Sequence, residues 1–387
     1  MSGAATHALP PALDVAICGA GPVGMALAMM LVQRGMPAAR IALVDARALE
    51  QSVADPRSLA LSYGSRLLLE EVNAWPLPAT PIHQIHVSRR GHFGRSLLDR
   101  IDHALPALGY VTRYGDLVAA LGAVCERAGV ATLRPARVHG IVEDDAGVLL
   151  QLDDGRTLHA ALAVQAEGGV FGQQTARAQQ RDYGQSALIA RVATSAPVML
   201  RAYERFTDEG PLALLPQDGA DGLHYALVWC VRQDKAAELL ALDDAAFLAR
   251  LGEAFGTRLG HFTRASPRSA YPLGLNAGAP ATSRTVAIGN AAQTLHPVAG
   301  QGLNLGLRDA AVLARLLARG ATPEQLLAFS AARRVDRTTT IGLTDAMARS
   351  FADTGPAQAL LGISLGMLDA VKPARLLLAE LMMFGRR

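Results

Sequence analysis

The sequence has few of the residues that mark secreted, metal-binding or nucleic-acid-binding proteins. Its 387 residues include only three cysteines, Cys18, Cys125 and Cys230, which lie far apart and form no Cys-x-x-Cys pair. This spacing argues against a disulfide framework or a zinc site and fits a reducing cytoplasm. The formal net charge is only +3, and no run of five basic residues occurs. We therefore expect no bound metal and no nucleic-acid partner.

Long apolar runs are also missing. No segment reaches the roughly 18 consecutive apolar residues of a membrane span. The apolar segment 15–32 has no Lys or Arg before it and contains glycines and a proline, which suits a turn between two elements and not a signal peptide. A chain of this length more often forms two domains than one. The sequence thus predicts a soluble, cytoplasmic protein of two domains.

The first fifty residues predict a strand–helix–strand unit. Residues 14–18 form a short apolar run of the buried-strand type, and residues 25–34 have a helical pattern that ends at Gly35. Residues 41–44 form a second buried strand that ends at Asp45. A glycine-rich turn joins the first strand to the helix, so the segment has the order of a βαβ unit.

Beyond this unit, a strand-rich block separates segments in which helices and strands alternate. The pattern predicts a helix at 117–129, a hairpin of 148–152 and 157–163, strands within 188–231, a helix at 236–255, a strand at 286–289, and helices at 303–319 and 338–384. This order favours a second domain that is inserted into the first.

The glycine-rich turn has the spacing of a dinucleotide-binding loop. Its residues are Gly19, Gly21, Pro22, Val23 and Gly24 in a Gly-x-Gly-x-x-Gly run. The first glycine permits the tight turn, the second lets the backbone approach a pyrophosphate, and the third allows close packing of helix on strand. The carboxylate that ends the next strand can accept hydrogen bonds from both ribose hydroxyls and would repel a 2′-phosphate. We therefore expect FAD or NAD, and not NADP, at this turn.

A second block, residues 284–309, reads as a strand, a polar loop, a turn rich in proline and glycine, and a helix start. Together with the N-terminal turn it resembles the second flavin motif of the class A flavoprotein monooxygenases, the para-hydroxybenzoate hydroxylase fold. The resemblance implies a Rossmann-type α/β FAD-binding domain of residues 13–72, 106–177 and 268–330. An antiparallel β-sheet substrate domain of 73–105 and 178–267 would be inserted into it, and a helical C-terminal region would cover 331–387.

Within that class, the chain is most similar to the ubiquinone-biosynthesis hydroxylases that act on polyprenyl-methoxyphenols. Asn290 and Gln293 carry part of this likeness, because the sister hydroxylases usually have Asp and His there. The segments 55–61, 204–216 and 336–345 carry the rest. The resemblance covers nearly the whole chain.

The resemblance also implies roles for individual residues. Asn290, after Gly289, takes the place of the Asp that binds the ribityl–phosphate region of FAD, and Arg57 corresponds to an arginine beside the flavin. The turn from Pro297 to Asn304 would pack against the flavin ring, because the start of a helix stabilises the anionic reduced ring. The residues expected there are Pro297, Gly300, Gln301, Gly302, Leu303 and Asn304. His296 receives no role.

The chain departs from the family pattern in two places. The middle motif, normally Asp-Gly followed by Ser and Arg, reads Glu167-Gly168-Gly169 here, which keeps a carboxylate but leaves the docking of NAD(P)H open. An Arg or Gln that the family places near the flavin is Gly115 in this chain, and Arg113 is the possible substitute.

The implied reaction uses NAD(P)H to reduce the flavin, and O2 then adds at C4a to give a hydroperoxide that hydroxylates an electron-rich phenol. Leu212, Leu214, Leu215 and Pro216 are expected to form one wall of an apolar pocket. Residues 360–371 are too short to span a bilayer. They could rest on the inner membrane or contact other ubiquinone-biosynthesis proteins, but ordinary packing is favoured.

Three other functions stay open. A flavin-dependent halogenase needs a Trp-x-Trp-x-Ile-Pro segment, whereas Trp75 and Trp229 are isolated here. A prenyl reductase of related fold would use FAD without inserting oxygen. A flavin- or NAD-binding scaffold without activity is the third, and the altered motif at Glu167 keeps it open.

Overall fold

The computed structural model describes most of the chain up to residue 337 and three residues near its end. The described residues are 13–91, 95–167, 179–277, 281–294, 300–334, 336–337, 380 and 383–384. Most of the predicted helical tail at 338–384, including 360–371, lies outside them, as does Pro297. No helix in these ranges combines the length and the apolar character that crossing a membrane requires.

The strands are numbered along the chain. They are β1 Leu13–Cys18, β2 Ile41–Val44, β3 Ser58–Ser62, β4 Ala79–Ile82, β5 Gln84–Arg89, β6 Arg95–Asp99, β7 Gly109–Arg113, β8 Ala131–Leu133, β9 Val138–Glu143, β10 Val148–Leu152, β11 Thr157–Gln165, β12 Gln179–Thr194, β13 Arg201–Phe206, β14 Pro211–Pro216, β15 Tyr225–Arg232, β16 Phe262–Ala265, β17 Ser269–Ala277, β18 Thr285–Ala287 and β19 Gln293–Thr294.

The helices are numbered in the same way. They are α1 Pro22–Gln33, α2 Leu49–Val53, α3 Tyr63–Glu71, α4 Tyr114–Arg127, α5 Gln233–Ala241, α6 Asp244–Phe255, α7 Gln301–Leu317 and α8 323–334. Short 3₁₀ helices occur at Ala38–Arg40, Arg100–His103 and Gly289–Ala291.

The first sheet contains the predicted βαβ unit. Its strands lie in the order β8-β2-β1-β11-β10-β9, and β18 also pairs with β11. Strands β8, β2, β1, β11 and β18 are parallel, while β9, β10 and β11 are joined by antiparallel pairing. Side chains of β1 and β2 such as Ile17 and Leu43 are fully buried against α1, α4 and α7. The α/β fold with its inserted antiparallel sheet is confirmed.

The second sheet is larger and mostly antiparallel, with the order β19-β17-β12-β15-β14-β13-β5-β6 and with β16 on β12. Helices α5 and α6 cover one face, where Leu227 and Phe247 are fully buried in a shared core. A three-stranded sheet, β3-β7-β4, lies next to the other face. The domain bounds stay a prediction, but β17 pairs with β12 and thus continues the large sheet beyond residue 267.

The predicted helix at 236–255 is two helices, α5 and α6. The chain leaves helical geometry at Leu242, and the Asp243 side chain accepts a 2.8 Å hydrogen bond from the backbone N–H of Ala246. This contact is an N-cap, which starts a new helix because it satisfies an N–H that has no partner within the helix.

Candidate cofactor and substrate site

The glycine turn between β1 and α1 is held by close backbone packing. A Cβ atom on Gly24 would lie 1.9 Å from the carbonyl oxygen of Gly19, and one on Gly19 would lie 2.7 Å from the backbone of Ala166 at the end of β11. Gly19 also has a φ of +109°, which strongly favours glycine. At Gly21, however, the nearest atom to such a Cβ is the Tyr114 hydroxyl at 3.3 Å. Two glycines therefore pack the turn, and the third leaves its outer side accessible.

Asp45 lies beside this turn, at the carboxyl end of β2. Its Oδ2 accepts a 2.8 Å hydrogen bond from the backbone N–H of Ala20, and its Oδ1 accepts one of 2.9 Å from Arg47. Arg134 at the end of β8 lies 3.7 Å from Asp45 Oδ2 and donates to the Ala20 carbonyl. The carboxylate is thus held at the position where a bound ribose would be expected.

Glu167 follows β11 at the same edge of the sheet. Burial, and then the negative charge of Asp45, raise the pKa of Glu167. Because the carboxyl ends of β1, β2 and β11 meet there, Gly19, Asp45 and Glu167 come together at one edge of the sheet.

Arg57 lies on the other side of the turn. It donates hydrogen bonds of 2.9 and 2.7 Å to the two carboxylate oxygens of Asp55, and its guanidinium carbon lies 4.9 Å from the ring centre of Tyr114. The Tyr114 hydroxyl accepts a 3.0 Å hydrogen bond from Arg47. This cluster brings two guanidinium groups near Gly21. Arg113, the possible substitute for the family's flavin residue, is exposed at the start of α4.

The second motif packs directly on the first. A Cβ on Gly289 would lie 3.5 Å from the Cα of Gly306 in α7 and 3.5 Å from the methyl groups of Val23 in α1. Gly300, with a φ of 59°, precedes α7, and a Cβ there would lie 3.3 Å from Ala60 of β3. Val23 and Gly289 therefore lie at the contact between the two motifs.

Asn290 and Gly302 are brought together across this loop, because the Asn290 Oδ1 lies 3.4 Å from the position of a Gly302 Cβ. The side chain of Asn304 is instead used within the protein. Its Oδ1 accepts from the Ser62 backbone N–H at 2.9 Å and from the Ser65 hydroxyl at 2.7 Å. Its Nδ2 donates to the carbonyls of Ala60 and Gly300. Asn304 thus ties the start of α7 to β3 and α3.

A buried group of charged residues supports the second motif from behind. Asp309 of α7, which is fully buried, accepts hydrogen bonds from Arg333 at 2.7 Å, from Arg337 at 2.9 Å and from the backbone N–H of Gly289 at 3.1 Å. Asp336 lies 2.6 Å from Arg333 and 3.4 Å from an Arg308 nitrogen. We name Arg308, Asp309, Arg333, Asp336 and Arg337 the buried ion cluster.

A cavity of about 90 Å³ lies beside the start of α7. Its polar lining includes Gln301 and Asn304. Its apolar lining includes Ile82, Ile85, Leu98 and Leu108, which come from β4, β5, β6 and the segment before β7. The cavity thus lies between the start of α7, which is expected to face a flavin, and an apolar surface at the edge of the large sheet.

The four residues predicted as a pocket wall divide between the two faces of β14. Leu212 and Leu214 are fully buried in the core beneath α5 and α6. Leu215 packs with Ile82 on the opposite face, next to the first domain. Because successive strand residues point to opposite faces, the structure corrects the prediction for Leu212 and Leu214. Pro216 is buried at the end of the strand.

The residues at both turns fit FAD. Gly21 leaves room for a pyrophosphate, and the N-terminus of α1 adds free backbone N–H groups. The Arg134 Nε and Nη1 atoms beside the turn are buried, and neither has a hydrogen-bond partner among the described residues. Buried donors of this kind need an acceptor, and an anionic ligand in the turn would supply one.

Sequence reasoning missed Arg134, Tyr114 and Asp309. Arg134 lies some ninety residues beyond Asp45 on a separate strand, so no local motif includes it. Asp309 ends the second motif, but its arginine partners come from outside that motif.

Comparison with known proteins places these features in one family. The model of a family described as an FAD binding domain matches residues 12–341. The chain is 32% identical to ubiquinone hydroxylase UbiL of Rhodospirillum rubrum over 97% of this chain and 90% of that protein. It is 30% identical to 3-demethoxyubiquinol 3-hydroxylase of Escherichia coli over 79% of each.

Among solved structures, the fold is similar to that of p-nitrophenol 4-monooxygenase PnpA of Pseudomonas putida. The TM-score is 0.75, with 19% identity over 98% of this chain and all of that one. At this identity the likeness supports the fold alone.

Proposed function

Since this chain belongs to the FAD binding domain family of flavoprotein monooxygenases and is an FAD-dependent aromatic hydroxylase, we propose that its substrate is a polyprenyl-methoxyphenol of ubiquinone biosynthesis. Two of its relatives are named ubiquinone hydroxylase and 3-demethoxyubiquinol 3-hydroxylase. The observation that carries the proposal is the cavity beside the start of α7, where Ile82, Ile85, Leu98 and Leu108 form an apolar lining next to the second flavin motif.

The roles of the site residues follow from their positions. Bound FAD supplies the redox chemistry with NAD(P)H and O2. Gly21 gives the pyrophosphate access to the backbone of the turn. The Asp45 carboxylate accepts hydrogen bonds from the ribose hydroxyls, and Arg57 and Arg134 add positive charge near the turn. The N-terminal N–H groups of α7, at Gln301 and Gly302, stabilise negative charge on the ring.

The apolar lining holds the phenol ring against these groups and excludes water from the reacting atoms. A polyprenyl tail is insoluble in water, so the substrate resides in a membrane. We therefore propose that the protein works at the inner-membrane surface. Other ubiquinone-biosynthesis proteins at that surface are proposed partners, while ordinary packing stays the favoured role of residues 360–371.

The position of the substrate ring that is hydroxylated is also part of the proposal. The relative named 3-demethoxyubiquinol 3-hydroxylase acts on a different ubiquinone intermediate, whereas Asn290 and Gln293 favour the methoxyphenol step. A prenyl reductase of related fold would convert the same type of lipid without adding oxygen, so the product mass separates the two classes.

Deletion of the gene from its host tests the proposal. We expect loss of ubiquinone and accumulation of a polyprenyl-methoxyphenol that lacks one ring hydroxyl, as measured by mass spectrometry of lipid extracts. The wild-type chain should clear this intermediate. Gly21→Val should not, because its side chain occupies the space of the pyrophosphate and the folded protein lacks FAD. Normal ubiquinone in the deletion strain, with no second hydroxylase present, would refute the proposal. A different accumulated ring intermediate would refute the ring position alone.

A further inference from the structure

One carboxylate lies on the face of the large sheet that is turned away from α5 and α6. On β13, Tyr203 points into the helix-covered core, so Ala202 and Glu204 point to the other face. Glu204 is paired with Ala213 of β14 and with Val87 of β5. Ala202 packs against the first domain, which shows that this face looks toward the cofactor side of the molecule.

The residues directly beside Glu204 on this face, Ala213 and Val87, are apolar. Beyond Ala213, the next strand contributes Val228. Two residues along β13, Ala202 packs with Leu215 and with Ile85, and Ile85 also lines the cavity beside α7. Glu204 therefore lies two residues along β13 from Ala202, whose partner Ile85 lines that cavity.

No partner for this carboxylate occurs within the described part of the chain. The Glu204 side chain is partly buried and takes part in no hydrogen bond or ion pair there. Glu143 offers a contrast, because it accepts hydrogen bonds from the side chains of Thr282, Ser283 and Thr285. Desolvating an unpaired carboxylate costs free energy and adds no contact that supports the fold. Its presence on an apolar face therefore indicates a functional role.

Burial alone raises the pKa of Glu204 to about 7. The titratable and charged groups of the described residues that share this face come from four strands and the first domain. They are Cys230 of β15, whose pKa is raised by burial and by Glu204, Arg89 of β5, Arg191 of β12, Arg232 at the end of β15, Tyr271 of β17, and Arg57 from the first domain. Arg191 and Arg232 are paired with Asp221 and Asp234. The raised pKa of Cys230 keeps its thiol neutral near pH 7, and none of the arginines contributes to the shift at Glu204. The carboxyl thus exchanges its proton near neutral pH, where a general base is most effective.

We propose that Glu204 is the residue that accepts the proton of the substrate's phenolic hydroxyl. The phenol O–H bond breaks, its electron pair stays on the phenol oxygen, and a new O–H bond forms on the Glu204 carboxylate. The ring becomes richer in electrons at the positions ortho and para to that oxygen, which are the positions that accept a hydroxyl group. After product release the proton passes to water. This inference rests on the proposed function, since it requires a phenol in the cavity.

The test uses the purified FAD-loaded enzyme, NAD(P)H and a short-chain methoxyphenol, and compares Glu204→Gln and Glu204→Asp with the wild type. Glu204→Gln should lower the rate of hydroxylated product about a hundred-fold, the effect of losing a general base. Its KM should change little, because an amide oxygen still accepts the hydroxyl hydrogen bond. NAD(P)H oxidation should continue and yield hydrogen peroxide in place of product. Glu204→Asp should restore part of the rate. The control is Glu238→Gln, an exposed residue of α5, which should behave like the wild type.

The pH profile distinguishes a base from a structural residue. For the wild type, kcat/KM for product should rise as the pH passes through about 7 and then level off, because the deprotonated carboxylate is the active form. Glu204→Gln should lose this rise while it keeps its FAD content and Tm. An unchanged product rate and profile in Glu204→Gln would overturn the inference and leave the proposed function standing. Equal losses of FAD, Tm and rate would also overturn it. Absence of product from the wild type would refute both.

Discussion

The two turns that are expected to hold the flavin are stabilised in different ways. The first, Gly19–Gly24, is held by backbone atoms in contact, with Gly24 against Gly19 and Gly19 against Ala166. The second, which runs from Gly289 into α7, is held by the buried ion cluster through Asp309. The first turn is packed against residues that are close in sequence or lie on an adjacent strand. The second depends on Arg333 and Arg337, which follow α7 in the chain. Their sensitivity to substitution should differ accordingly.

The largest effect is expected at Asp309. Asp309→Asn removes the carboxylate that contacts both Arg333 and Arg337, which leaves Asp336 as the one carboxylate of the buried ion cluster. Removing one partner of a buried ion pair lowers the free energy of unfolding by about 3–5 kcal/mol. Urea denaturation of the FAD-free protein measures this loss. Asp234→Asn is the control, because its partner Arg232 is exposed and such pairs contribute at most about 1 kcal/mol. Equal losses in the two variants would show that the cluster does not support the second turn.

Gly24→Ala tests the first turn and should have a smaller effect. The new methyl group would lie 1.9 Å from the Gly19 oxygen, so the start of α1 must move away from β1. Overpacking of this kind costs about 1–3 kcal/mol of unfolding free energy. Gly252→Ala in α6 is the control, because no atom lies within 4 Å of its Cβ position and Gly to Ala inside a helix stabilises by up to about 1 kcal/mol. A Gly24→Ala protein as stable as this control would contradict the packing argument.

The contrast also explains what could be predicted from the sequence. The strand, glycines, helix and second strand of the first turn were predicted, because they are contiguous and their spacing is characteristic of a βαβ unit, whereas Arg134 and Tyr114 beside the turn were not. The second motif was found by its likeness to a family, but the buried ion cluster was not. Nothing in the spacing of Asp309 and Arg333 indicates that both are buried, since that depends on how α8 packs against α7.

The substrate domain shows a further limit. Residues 211–216 are apolar throughout, so the sequence did not separate the two faces of the strand. Which face is covered depends on where α5 and α6 pack, and Leu212 and Leu214 were therefore assigned to the wrong side. The break between α5 and α6 had a local signal, an Asp at 243 before an apolar helical pattern, and the strong helical character on both sides concealed it. Glu204 was noted as part of a family segment, but its isolation on an apolar face is visible only once the strands are paired.

The smallest effect is expected at Asp45, the charged residue that serves the first turn. Its Oδ2 accepts the Ala20 N–H, and FAD binding adds the ribose hydroxyls. Asp45→Asn keeps an amide oxygen as acceptor but loses the negative charge that strengthens each hydrogen bond. We expect FAD affinity to fall by about 1 kcal/mol, or about five-fold in Kd, with little change in stability. Fluorescence titration of the FAD-free protein measures it. Asp14→Asn, at the other end of β1 and paired with Arg40, should leave the affinity unchanged. A weakening at Asp45 no greater than that at Asp14 would show that the ribose is held elsewhere, and that backbone packing alone defines the first turn.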